Sequence, residues 1–221
     1  EQPCSLGERS VWGEPAPASG AWDVALKNLS SCSRVTLCGF FQMRSYFAGD
    51  LPLLRRLFWD DALGSKAAAR LASLAPDAGR PLVAVHYRLG DYVELGWDLD
   101  EDYQKKALLE VKRQLGTEPL CVIFSDAPRL AWRRSAGLSG CAGRVLVPPQ
   151  DDDVASFHMM GLTEASVVSD SSFSYWAAML SRKARVVVAP RLEAPWYGFY
   201  YLAREPGWTA LPASVRHRPA R

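Results

Sequence analysis

From residue 82 onward, short apolar runs rich in Val, Ile and Leu take turns with longer stretches of helical spacing. Leu82 to Leu89 reads as a strand, and Glu101 to Leu115 as a helix with Ala107, Leu108, Leu109 and Val111 on its apolar face. Leu120 to Phe124 follows as a strand ending in Ser125 and Asp126. Pro128 to Ala136 reads as a short helix, and Arg144 to Val147 as a strand closed by Pro148 and Pro149. Asp152 to Leu162 reads as a helix opened by acidic residues. Val167 and Val168 form a brief buried strand, Phe173 to Ser181 a helix, and Ala184 to Ala189 a strand stopped by Pro190. Such alternation predicts an α/β fold, a parallel sheet with helices on its faces.

The N-terminal part is patterned differently. Glu1 to about Ser33 is rich in Gly, Pro, Ser and Ala with little periodicity, and reads as loop or the remnant of a partly missing domain. A short strand, Arg34 to Leu37, precedes a helical stretch from Leu51 to Leu74 that Gly64 breaks. Pro76 to Pro81 punctuates the chain before the first strand of the alternating region. The expected division is therefore a partly missing N-terminal region over 1–80 and an alternating α/β domain over 81–221. No internal repeat is visible.

Composition narrows the class. A 221-residue chain with 48% hydrophobic residues can bury a core, and a formal charge of +2, from 26 basic and 24 acidic residues, gives no general attraction to nucleic acid. An anionic partner must be held locally. No apolar run is long enough to span a membrane, and Glu1 opens without a methionine or signal-like core, so the chain is expected to be a soluble piece of something longer. The five cysteines, Cys4, Cys32, Cys38, Cys121 and Cys141, lack zinc-site spacing, and their odd number leaves the redox compartment open. Asn28, the sole asparagine, lies in an N-glycosylation triplet with Leu29 and Ser30.

Candidate chemistry gathers at strand ends. Val83 to Arg88 alternates and then meets Gly90, expected to permit a tight turn, so Arg88 projects from the carboxyl end of a strand. A planar guanidinium there suits a phosphate or carboxylate, and a salt bridge to Asp91 is the plain alternative. Ser171 and Ser172 open a helix after a strand, where free amides and hydroxyls bind phosphate, or where Asp170, Ser171 or Ser172 simply caps. Asp126, after Ser125, could accept from a nucleobase or ribose, or cap the next helix. These strand ends would share one edge of the sheet, as a nucleotide site requires. Asp151, Asp152 and Asp153 read as a solvated helix start rather than a magnesium site. His158 reads as a partly buried helix residue, and His217 lies in a basic tail.

Taken together, these blocks resemble the α-1,2-fucosyltransferases of glycosyltransferase family eleven. His86 to Tyr92, HYRLGDY, is similar to that family's H-x-R-R-G-D-Y signature, and Phe124 to Trp132, FSDAPRLAW, to its F-S-D-D-x-x-W segment. Ser169 to Ala178, SDSSFSYWAA, resembles N-S-S-F-S-W-W-A-A, and Gly39 to Phe47, GFFQMRSYF, resembles G-Y-F-Q-x-x-x-Y-F. The similarity runs from about Leu37 to Leu211.

The resemblance implies two Rossmann-like lobes of GT-B type, with 81–221 as the GDP-sugar-binding donor lobe and 1–80 as a truncated, acceptor-side first lobe. It implies inverting transfer of L-fucose from GDP-fucose to a galactose hydroxyl of a glycan, in an α-1,2 linkage, without a metal or other cofactor. His86, Arg88, Gly90, Ser125, Asp126, Ser171, Ser172 and Phe173 would bind the donor, with Arg88 on the diphosphate. Arg88 would also serve the chemistry, with Asp91 and Glu94 as the nearest candidate bases, although Asp91 can instead orient Arg88. The setting implied is the lumenal side of a Golgi membrane, through a segment absent here, or the cytoplasm in a bacterium. A non-catalytic nucleotide-sugar or glycan binding domain, and a fucosyltransferase of different acceptor specificity, are the alternatives.

The chain departs from the motifs in several places. Leu89 replaces the second arginine, a possible cation near the diphosphate. Ser156 stands where an aspartate is expected, with Asp153 one turn away, Thr163 takes a usual cysteine position, and Asp170 replaces the asparagine. The Gly-rich G-G-L-G-N-Q-type opening of the first lobe is missing, so acceptor binding is expected to be affected.

Overall fold

The computed structural model describes residues 4–7, 35–38, 47–76, 79–192 and 205–216. The sequon at Asn28, most of the Gly39 to Phe47 motif and His217 lie outside them. Two short strands, β1 (Cys4–Gly7) and β2 (Val35–Cys38), pair in parallel. The stretch read as loop therefore contains a strand. Four residues are too few for a readable period, and the partner of β1 lies far along the chain.

The main sheet holds β3 (Leu82–Tyr87), β4 (Leu120–Ser125), β5 (Gly143–Leu146), β6 (Ala165–Val167), β7 (Val186–Leu192) and β8 (Thr209–Ala213). Its spatial order is β5-β4-β3-β6-β7-β8, and every pairing is parallel. Counted from its first strand this is the 3-2-1-4-5-6 order of a Rossmann-like sheet, which reverses direction between β3 and β6. Sequence reading missed β8, whose apolar residues are few and interrupted by Pro212. Pro190 does not stop β7. It lies past the stretch paired with β6, where β8 alone continues alongside, so the missing N–H is tolerated.

The helices are α1 (Leu51–Phe58), α2 (Asp61–Leu74), α3 (Gly90–Leu95), α4 (Glu101–Leu115), α5 (Pro128–Arg134), α6 (Asp153–Gly161) and α7 (Ser172–Met179). Local signals explain α4 well. Asp100 caps it by accepting from Tyr103 N at 3.0 Å, acidic residues open it, Lys112 and Arg113 close it, and Gly116 ends it at φ 71°. Leu109, counted on its apolar face, is instead half exposed. Between α1 and α2 the break falls at Trp59 and Asp60, not Gly64. Asp60 caps α2 through Leu63 N, and Gly64 sits inside that helix against the Trp59 ring.

Pleating lets β3 serve both layers. Val83, Val85 and Tyr87 pack with Tyr103, Ala107, Leu108 and Val111 of α4, whereas Ala84 packs with Ala67 and Leu71 of α2 and with Met159 and Met160 of α6. A third cluster joins Phe47 and Leu51 to Tyr175 and Met179 of α7 and to Val187 and Ala189 of β7. Helices thus cover both faces of the sheet, and α1 and α2, on the N-terminal side of the expected boundary at residue 80, pack on it as well. Cys121 of β4 is disulfide-bonded to Cys141 just before β5.

Candidate donor site at the sheet's switch point

Because β4, β3 and β6 are parallel neighbours, their carboxyl ends share one edge, and the loops there enclose a cleft of about 470 Å³. His86, Arg88, Ser125, Asp126, Ser171, Ser172 and Phe173, all expected from the sequence, line it. Gly90, Asp91 and Glu94 do not. Tyr92, Phe124, Val147, Pro148 and Pro149 add an apolar wall, and Asp151, Asp153 and Ser156 a polar end. Sequence reading gave the two prolines only a punctuating role. Tyr92 and Phe124 lay within the quoted motifs and were available to it.

Arg88 stands at the centre. Its guanidinium donates to Asp126 Oδ2 from one nitrogen and to Asp91 Oδ1 at 2.6 Å from the other, and it lies 4.9 Å over the Tyr92 ring. The salt bridge posed as an alternative to an anion site is therefore real, and Asp126 joins it. About a third of the Arg88 side chain remains exposed, facing the cleft. Asp126 does not cap α5. Its other oxygen accepts from Leu89 N at 2.9 Å, and the cap position belongs to Ala127 without a side-chain bond. Ser125 Oγ accepts from Ala127 N at 3.0 Å instead.

Gly90 is required by proximity rather than by a turn. It opens α3, and a Cβ there would lie 2.6 Å from Asp126 Oδ2. Leu89 itself packs into the core and does not line the cleft.

At the start of α7, Ser171 holds the cap position but makes no side-chain capping bond. Ser174 Oγ, inside the first turn, accepts from Ser169 N at 3.2 Å and so ties the preceding loop to the helix. Ser171 and Ser172, whose hydroxyls make no hydrogen bond among the described residues, line the cleft beside the positive end of the helix. His86 shares a 2.6 Å hydrogen bond between Nδ1 and Ser169 Oγ, and its ring lies 5.7 Å from that of Phe173. Burial, helped by Arg88 and opposed by Asp126, pulls its pKa down to about 4, so His86 is neutral near pH 7. Asp152 caps α6 through Ala155 N at 2.6 Å, as the acidic run suggested, while Asp151 accepts from Arg70 Nε at 3.0 Å. His158 is buried, with Nδ1 2.8 Å from Val154 O. Among the described residues no three His, Cys, Asp or Glu side chains converge to hold a metal ion, and no helix is long and apolar enough to cross a membrane.

The profile of glycosyl transferase family 11 matches residues 38–209, most of the chain. The chain belongs to glycosyl transferase family 11. No curated protein matches it. Among solved structures, this family 11 chain is similar to POFUT1 in complex with GDP-fucose. That likeness has a TM-score of 0.41 at 14% identity and covers 85% of this chain and 72% of that one. It is too loose to carry a residue's role from one protein to the other. The family match spans all of the cleft's lining residues, from His86 to Phe173.

Proposed function

We propose that this family 11 chain moves L-fucose from GDP-fucose to a galactose hydroxyl of a glycan, with inversion and an α-1,2 linkage. The observation that carries this reading is the convergence of a partly exposed Arg88 with the uncommitted hydroxyls of Ser171 and Ser172 at the switch point of a parallel sheet. In the transfer, the bond between fucose C1 and the β-phosphate oxygen breaks as the acceptor oxygen bonds C1 from the opposite side. Negative charge grows on GDP. A guanidinium and helix-terminal amides, already oriented, stabilise that charge without a metal.

Neutral His86, fixed by Ser169 and Phe173, supports the Arg88 strand without adding a competing charge. The acceptor hydroxyl's proton passes to a carboxylate or to water. Asp91 and Glu94, both on α3 and outside the lining of the cleft, are the candidates that the motif similarity offers. Asp91 already pairs with Arg88, so an orienting role and a basic role compete for one carboxylate.

Titration with GDP-fucose, followed by incubation with lactose and NMR assignment of the product linkage, tests the reading. Fucose on O2 of galactose supports it. Binding without transfer to any galactoside identifies a nucleotide-sugar binding domain, and transfer to another acceptor identifies a different specificity. Failure to bind GDP-fucose overturns the reading.

A further inference from the structure

A second cavity, about 10 Å³ and so the size of one water, shares Arg88 and Tyr92 with the donor cleft. Its lining includes Tyr87 from β3, Gln104 from α4 and Asp170 from the loop after β6. These three are almost completely buried, and Tyr87 Oη, Gln104 Oε1 and both carboxylate oxygens of Asp170 have no hydrogen-bond partner among the described residues. An ionised carboxylate in such a place is costly, since it is withdrawn from bulk solvent and forms no ion pair with a described residue. A protonated one can donate its O–H to a neighbouring oxygen, directly or through a single water. Asp170 immediately precedes Ser171 and Ser172 on the cleft.

We propose that Asp170 is a positioning residue that couples donor binding to proton uptake, the loop before α7 accepting the diphosphate when the Asp170 carboxyl is protonated. This rests on the donor-site reading above. The proton comes from solvent and adds to one carboxylate oxygen, and no bond of the donor changes. An ionised Asp170 would place a second negative charge beside the diphosphate in a poorly solvated region, and the two would repel.

The surrounding groups leave Asp170 as the one poised to titrate. Burial raises its pKa to about 7. On β3, His86 is held neutral down to about 4, and the guanidinium of Arg88 is engaged by Asp91 of α3 and by Asp126 after β4. On α3, Tyr92 is pushed up to about 12 by burial and then by Asp170 itself. From α4, Gln104 is uncharged, and Tyr103, raised by burial, donates its hydroxyl to Val168 O at 2.7 Å and Val188 O at 3.1 Å. Ser169, Leu89, Leu99 and Trp97 complete the wall without charge.

Calorimetric titration with GDP-fucose, whose diphosphate diester does not titrate near neutrality, decides the matter on the whole chain. Wild-type Kd should rise by at most about 30-fold between pH 6 and pH 8.5, whereas Asp170→Asn should stay tight and flat across that range. At pH 7.5 the wild-type protein should take up on the order of 0.7 proton on binding, read from the heats in buffers of different ionisation enthalpy. Asp170→Asn should take up none. Should that variant fail to fold, wild-type proton uptake alone decides. Parallel pH profiles, or no uptake by the wild type, overturn the coupling and leave the donor site standing. No binding at any pH overturns both.

Discussion

A Cβ on Gly90 would lie 2.6 Å from Asp126 Oδ2, the oxygen that receives the guanidinium of Arg88. The first residue of α3 thus sets how closely the end of β4 can approach the end of β3. Gly90→Ala should push Asp126 away and release Arg88 from one of its two carboxylates. We expect a loss of about 1–3 kcal/mol in stability, together with a weakened affinity for GDP-fucose, measured by thermal unfolding and by titration. Unchanged affinity would mean that the Arg88 and Asp126 pair does not organise the donor site.

Arg88→Ala should weaken GDP-fucose binding by about 2–4 kcal/mol, because charge-assisted, bidentate contacts to a diphosphate are lost. Arg88→Lys should recover only part, since a point charge cannot keep Asp126, Asp91 and a phosphate in one plane. Both variants should unfold within a few degrees of the parent, because about a third of the side chain is exposed and its ion pairs are screened. A large fall in melting temperature with unaltered GDP-fucose affinity would make Arg88 structural.

Asp170 predicts an uncommon slope of stability with pH. Burial raises its folded pKa to about 7, so the folded state holds a proton that the unfolded chain has released. That contribution is fully present below about pH 4 and is lost as pH rises through about 7. Chemical denaturation should show wild type losing roughly 2–4 kcal/mol relative to Asp170→Asn between pH 4.5 and pH 7.5. Equal slopes for the two proteins would refute the buried, proton-holding state.

Trp59 is clasped between two glycines. A Cβ on Gly161 of α6 would lie 2.8 Å from its ring, and one on Gly64 of α2 would lie 3.0 Å from Nε1. Gly161→Ala should therefore cost about 1–3 kcal/mol by forcing α2 and α6 apart, despite alanine's better helix propensity. A stabilised Gly161→Ala protein would show that the ring moves freely.

Asp98 is buried and receives Arg134 of α5 at 2.5 Å, with Arg216 3.8 Å away. Asp98→Ala would leave the Arg134 guanidinium, itself largely buried, without its counter-charge. Denaturant unfolding should reveal a loss of about 3–5 kcal/mol. A loss below about 1 kcal/mol would show that solvent already satisfies Arg134.

The sequence by itself determined the parallel α/β class, most element positions and the residues that meet at one sheet edge. Period, caps and punctuation act over a few neighbours, and a parallel sheet puts every strand's carboxyl end on one side. Arg88, Ser125, Asp126, Ser171 and Ser172 were legible for that reason, and the motif similarity agreed with the family match. Tertiary structure alone decided what each of those residues holds. Asp126, read as a nucleotide acceptor or a helix cap, does not cap and pairs with Arg88, Gly90 turned from a turn residue into a point of close approach, and Leu89 packs into the core. It also added β8 to the sheet, carried β7 through Pro190 and enclosed Asp170 without a partner. Those outcomes depend on strand order, register and burial between residues far apart in the chain, to which local pattern is blind.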